Sequence, residues 1–293
     1  VEGGGGRGSD RGARPVEAGA EHRRKPRPWI RPLRSKTDVP EADLEAPGYW
    51  KLQEATPGTR VLQDASKDEE AALQALLACT FKTVATRDRR SPMPSRLCLL
   101  RAQRVENLAL WRTFASGRHA IGGKRPHRCT RVSALGGEVL TMGGLLAEGQ
   151  GSMDQRINEV YLWHGTSPAG AESISKQGFS LQHCGKATGT MYGKGVYLAE
   201  CSSKSDEYAS DDADGIYRDI YCLLLCRVVL GEILHLTAGG EAAHQMIKCA
   251  IEGGAYDSIL GDREAAVGTY REFVVYQEDQ VYPEYLVLYR REQ

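Results

Sequence analysis

YGKGVYLAECSSKSDEYAS, residues 192–210, is the stretch whose reading decides the fold. Gly193 and Gly195 frame a tight turn, VYLA (196–199) alternates as a short strand requires, and Ser202 stands where a helix N-cap belongs. Upstream, NEVYLWHGT (158–166) reads as a strand running into a sharp turn at Gly165. Ser167-Pro168 then suits N-cap and N1 of a helix that Gly178 terminates. Downstream lie YCLLLCRVVLGEIL (221–234), the turn-flanked YDSIL (256–260), REFVVYQ (271–277) and EYLVLYR (284–290), each read as a strand. Short strands with few helices point to an α+β fold, not a doubly wound βαβ sheet.

The N-terminal half reads differently. Ser66 and Glu69 form a capping box, and Leu73, Leu76, Leu77, Phe81 and Val84 recur at helical spacing, which predicts a helix over 67–84. RLCLLRAQRV (96–105) reads as a strand, followed by a helix over 106–116 that buries Leu108, Trp111 and Phe114. Residues 118–155 read as an irregular insertion. Met191, Met246 and the leucines of 223–230 read as core, and Asp257 with Ser258 as the end of a strand. A domain over 48–293 therefore follows a disordered, basic tail over 1–47, rich in glycine and poor in apolar residues. Gly3, Gly5 and Gly8 make a formal GxGxxG with no strand before it and no helix after it, so it is accidental.

The 293 residues carry 38 Lys+Arg and 38 Asp+Glu, a formal net charge of zero, which argues against a protein whose main task is coating nucleic acid. The balance is a cancellation. Residues 1–36 hold ten basic and four acidic residues, 37–150 hold sixteen and thirteen, and 151–293 hold twelve and twenty-one, so an acidic half follows a basic start. HRRKPRP (22–28) is a solvated basic run that could meet nucleic acid. Scattered cysteines flanked by apolar residues read as free thiols in a reducing compartment. Neither a membrane partner nor secretion is expected, since no apolar run is long enough to span and the start is no signal peptide.

Four segments place polar residues at strand ends, where a rigid scaffold presents them to a cleft: LWHGTS (162–167), MYGKGVYLAE (191–200), SSKSDEYA (202–209) and REFVVY (271–276). In this order they resemble the catalytic domain of the poly(ADP-ribose) polymerase family, most closely its tankyrase-type members, over about residues 66–293. The resemblance implies an ADP-ribosyltransferase fold of two antiparallel sheets enclosing an NAD cleft. It implies a catalytic triad of His164, Tyr197 and Glu272, and an NAD-contacting set of His164, Gly165, Thr166, Gly189, Tyr197, Ala199, Lys204, Ser205 and Tyr208.

The implied activity is cleavage of the nicotinamide–ribose bond of NAD and transfer of ADP-ribose to protein acceptors, with chain elongation favoured by the retained Glu272. Such chemistry needs a carboxylate beside the ribose and an aromatic wall for a flat cationic ring, which Glu272 and the pair Tyr197 and Tyr208 would supply. Single transfer, an inert NAD- or ADP-ribose-binding scaffold, and an RNA-linked ADP-ribosyl enzyme served by the tail are the alternatives. Two departures, Thr190 and Leu198, stand where many members carry aromatics and would leave one pocket edge less stacked. DDADGIYRDIY (211–221) contains no Cys/His cluster, so no metal is expected. The short segment before the catalytic half leaves no room for a large regulatory helical domain, so DNA-dependent activation is not expected. The protein is expected inside the cell, in nucleus or cytoplasm.

Overall fold

A capping box starts the first long helix. In the computed structural model, Ser66 Oγ accepts from Glu69 N while Glu69 Oε2 accepts from Ser66 N at 2.8 Å. The model describes residues 39–51, 59–125, 127, 129–143, 153–182, 191–212 and 214–293. Gly189, Thr190 and residues 1–38 of the expected tail lie outside the described residues. Within 39–47 a single turn, α1 (Glu41–Leu44), is already formed, and Arg112 Nε donates to the Leu44 carbonyl.

β1 (Arg60–Asp64) was not anticipated from the sequence, and α2 (Lys67–Cys79) stops short of residue 84. The stop has a tertiary cause: the Thr80 carbonyl accepts from Ser202 N, and Lys82 N donates to Ser203 Oγ, so the chain leaves helical geometry to pack on a later element. β2 (Arg96–Asn107) leads into α3 (Leu108–Lys124), capped by the Asn107 side chain. This helix runs eight residues past its predicted end because Gly117 and Ile121 extend the buried stripe of Leu108, Trp111 and Phe114. β3 (Glu159–Thr166) and α4 (Pro168–Gln177) follow, with Ser167 as the side-chain cap and Gly178 at the end, as expected.

The second half adds β4 (Val196–Ala199), α5 (Ser202–Asp206), β5 (Tyr221–Val229), β6 (Ile233–Leu236), α6 (Glu241–Glu252), β7 (Ser258–Asp262), α7 (Arg263–Val267), β8 (Arg271–Val275) and β9 (Val281–Glu292). The apolar run 221–234 is two strands, not one. Gly231 breaks it at φ +61°, where a Cβ would meet Asp257 Oδ2 at 2.5 Å. Asp257 and Ser258 stand at the start of β7, not at the end of a strand, and the Asp257 carboxylate anchors this corner by accepting from Lys124 Nζ, Arg125 Nε and Glu232 N.

The helix α6 was also missed, although Ala243, Ile247 and Ile251 recur at i, i+4 and i+8 and pack inward. Met246 lies one step off that stripe and is 48% exposed, and Met191 is 41% exposed, so neither is core. Leu223, Leu224, Leu225 and Leu230 are fully buried, as expected.

The strand order is β1-β2-β9-β5-β3-β4-β8-β7-β6, antiparallel except for the β6–β7 pair, whose crossover carries α6. All nine strands form one continuous sheet, and the two sheets expected from the family resemblance join within it at one residue pair, Trp163↔Ala199, between β3 and β4. Alternation sorts the residues around that seam. Val196, Leu198, Phe273 and Val275 enter the main core cluster with Leu162 and Leu224, while Tyr197 and Val274 face a separate cluster around Tyr192, Ile247 and Ile259. Leu198 is therefore a core residue, 2% exposed, and not a pocket edge.

One buried carboxyl carries a measurable consequence. Asp279, packed under Gly117 of α3, has an Oδ1 with no hydrogen-bond partner among the described residues, and burial pushes its carboxyl up to about 6 from the ordinary 3.8. The folded state thus holds a proton that the unfolded chain releases near pH 4. Stability from this group is fully present below about pH 4 and is lost as pH rises through about 6, at roughly 3 kcal/mol in all. Asp279→Asn is expected to melt higher than the parent at pH 7.5, by a margin that shrinks between pH 7 and pH 5. A margin that stays constant across that range would show that the carboxyl is not buried in its charged form.

Candidate active site

Beyond the Trp163↔Ala199 pair no further pairing joins the end of β3 to the start of β4, and the described family-implied residues lie on these two strands, on α5 and just after it, and on β8. Gly165 and Thr166 still pair with β5, opposite Leu223 and Cys222. The gap is crossed by His164, whose Nδ1 lies 2.9 Å from the Tyr197 carbonyl. A carbonyl only accepts, so Nδ1 carries the proton and the Nε2 lone pair is left available. Burial pulls the imidazole below the usual histidine range, the Tyr197 bond offsets this only partly, and Phe179 packs edge-on at 5.0 Å. The ring is thus held neutral and oriented.

α5 lies directly over the end of β3. A Cβ on Gly165 would sit 1.8 Å from the Ser205 carbonyl oxygen, so only glycine lets strand and helix meet, and Ser205 Oγ donates back to the Trp163 carbonyl at 2.9 Å. On β4 the Tyr197 hydroxyl accepts from Tyr192 N and donates to the Gly193 carbonyl, both at 2.9 Å, which staples the glycine turn and fixes the ring. Ala199 pairs with Glu272 of β8, on the same face as Tyr197.

Lys204 and Glu272 approach each other, with Nζ and Oε1 3.7 Å apart. Burial raises the Glu272 carboxyl above its ordinary 4.5, and Lys204 only partly opposes this. Burial alone would lower the Lys204 ammonium, yet Glu272, Tyr208, Asp88 and Glu207 together hold it above the usual lysine range. Lys204 Nζ also lies 4.9 Å from the centre of the Tyr208 ring.

Several residues that shape the site were not read from the sequence. Asp206 is fully buried between Arg89 at 2.9 Å and Arg291 at 2.8 Å, and Arg89 Nη2 also donates to the Ser203 carbonyl. Thr86 Oγ1 donates to Glu207. Tyr208 OH and Lys204 Nζ both donate to Asp88 Oδ2. On the other flank Arg271, next to Glu272, makes a buried bidentate pair with Glu200 and donates to the carbonyls of Gly137 and Glu138. No local signal marks these groups, because their partners lie up to 134 positions away. Among the described residues no group of three or more His, Cys, Asp or Glu is placed to hold a metal ion. The seven cysteines among the described residues are free thiols, and burial pushes Cys201 and Cys222 up to about 12. Among the described residues no helix is long and apolar enough to cross a membrane.

The sequence profile described as "Poly(ADP-ribose) polymerase catalytic domain" matches residues 81–291. The chain belongs to the poly(ADP-ribose) polymerase catalytic-domain family. Its α+β architecture is the ADP-ribosyltransferase fold of that family. Relatives include "Protein mono-ADP-ribosyltransferase PARP12" of Homo sapiens, 27% identical over 187 residues, which cover 64% of this chain and 21% of that protein. "Protein mono-ADP-ribosyltransferase PARP10" of Mus musculus is 30% identical over 138 residues, covering 46% and 13%. "Poly [ADP-ribose] polymerase tankyrase" of Caenorhabditis elegans is 27% identical over 166 residues, covering 45% and 7%. This poly(ADP-ribose) polymerase domain thus spans about a fifth of the length of the first relative and less of the other two.

Proposed function

We propose that the protein is an NAD-dependent ADP-ribosyltransferase that cleaves the nicotinamide–ribose bond and passes ADP-ribose to protein acceptors. The observation that carries this reading is the convergence, at the β3–β4 junction of the sheet of a family member, of Gly165 and Ser205, Tyr197, Tyr208 and the Lys204–Glu272 pair.

The residues fit NAD as substrate. The backbone at Gly165 and the Ser205 hydroxyl offer an amide the paired donor and acceptor it needs, and Tyr197 and Tyr208 offer ring faces worth roughly 0.5–2 kcal/mol each to a cationic ring. The available Nε2 of His164 accepts from a ribose hydroxyl. Glu272 polarises a hydroxyl of the reacting ribose and stabilises the positive charge that develops as the bond to nicotinamide breaks. Thr166, Ala199 and Gly189 complete the proposed contact set. With twelve basic and twenty-one acidic residues in 151–293, the binding load falls on stacking and directed hydrogen bonds, not on bulk charge.

Elongation to polymer is favoured by Glu272, which can activate the hydroxyl of an ADP-ribose already attached. Single transfer is the second reading, favoured by the names of PARP12 and PARP10. Placement inside the cell, in nucleus or cytoplasm, is supported by the free thiols, and contact with nucleic acid is assigned to the basic tail alone. Incubation of the purified chain with labelled NAD and acceptor protein is expected to give a ladder on a gel, with nicotinamide released. One sharp band would select single transfer, and no label with no nicotinamide would overturn the transferase reading.

A further inference from the structure

Lys204 has three N–H donors, and the geometry spends them away from Glu272. Nζ reaches Asp88 Oδ2 at 2.9 Å, Glu207 Oε2 at 2.9 Å and the Tyr208 hydroxyl at 3.1 Å, and Glu272 Oε1 stands farther off at 3.7 Å. Asp88 also accepts from the Tyr208 hydroxyl at 2.7 Å, so one carboxylate oxygen holds both the ammonium and the phenol that flank the proposed nicotinamide site. The loop bearing Asp88 is itself fastened to α5. Arg89 pairs with Asp206 and the Ser203 carbonyl, Thr86 bonds Glu207, and the Tyr270 hydroxyl donates to the carbonyl of Val84 at 2.6 Å.

We propose that Asp88 is a positioning residue for the transfer reaction, keeping Lys204 off Glu272 and holding the Tyr208 ring in place, a role that rests on the function proposed above. Its physical basis is competition for one donor. Removing the Asp88 carboxylate takes away one acceptor from the ammonium while Glu272 Oε1 stands only 3.7 Å from it, and a carboxylate capped by an ammonium is a poorer acceptor for a ribose hydroxyl. The charge change acts in the same direction. Glu272 faces Lys204, Glu207 and Tyr208 from α5 and its C-terminal turn, Asp88 from the loop before β2, and Tyr192 from the glycine turn. Losing a neighbouring negative charge while a positive one moves closer lowers the proton affinity of Glu272.

The test compares Asp88→Asn and Asp88→Ala with the parent in three measurements: the pH profile of kcat/KM for NAD, the KM for NAD, and a carbon-13 NMR titration of the Glu272 carboxyl that needs no turnover. Both variants are expected to shift the acid limb and the Glu272 titration down by about 1 pH unit, the low end for such a contact because the Asp88 side chain is 35% exposed. In Asp88→Ala, KM is expected to rise roughly 3- to 10-fold as Tyr208 loses its anchor, and both variants are expected to keep Tm within about 3 °C of the parent. Asp88→Asn keeps an acceptor for Tyr208, so a purely structural role would let it restore the parent pH profile. That restoration, or a Glu272 carboxyl titrating at the same pH in all three proteins, would overturn the proposal. If the parent transfers no label, the transferase reading fails while the NMR titration still decides whether Asp88 controls Glu272.

Discussion

Glu272→Gln is expected to lower kcat for ADP-ribose transfer on the order of 10²–10³-fold, with KM for NAD changed only a few-fold. Glutamine keeps the size and one acceptor oxygen of the side chain but removes the charge that meets the developing cation, so the loss falls on the transition state. The fold is expected to hold. Lys204 keeps Asp88 and Glu207 as partners, and a carboxyl raised by burial is a group the native state gains from neutralising at pH 7. The sign of the pH dependence follows from the same burial. The carboxylate must be ionised to act, so activity in the parent is expected to fall with decreasing pH through a value above the ordinary 4.5, and this acid limb disappears in the variant. A variant with parent-like kcat would remove Glu272 from the mechanism.

Gly165→Ala is expected to abolish transfer by more than 100-fold and to lower Tm by roughly 2–12 °C. The new methyl would lie 1.8 Å from the Ser205 carbonyl oxygen, 2.7 Å from its carbon and 3.3 Å from Ala209 N, all backbone atoms with no rotamer to yield. Overpacking of this kind costs about 1–3 kcal/mol or more, which sets the expected fall in Tm for a domain of this size. Relief requires β3 or α5 to move, and α5 carries Lys204 and Ser205 and directly precedes Tyr208, so the nicotinamide wall and the Glu272 partner shift together. Calorimetry with initial rates checks this. Parent-like Tm and KM for NAD would mean that the β3–α5 contact does not set the pocket.

Much of this was legible along the chain because its causes are local. The capping box at Ser66, the Pro168 start of α4, the glycine stops and the period of two through VYLA and REFVV depend on residues a few positions apart, and the structure keeps them. Local signals also missed things that they contain. The inward stripe Ala243, Ile247, Ile251 marks α6, and Met246 reads as core only where hydrophobicity is weighed without its angle around that helix.

What the sequence by itself determined is the α+β design, the family resemblance and the identity of the residues that meet at the seam. Only the tertiary structure decided which residues hold them. Asp88 reaches Lys204 across 116 positions, Arg291 reaches Asp206 across 85, and the α2 helix ends where α5 claims the Thr80 carbonyl. Such pairings carry no periodicity and no spacing, because they form only after loop closure has brought distant segments together, and their strength comes from burial that a linear chain does not have.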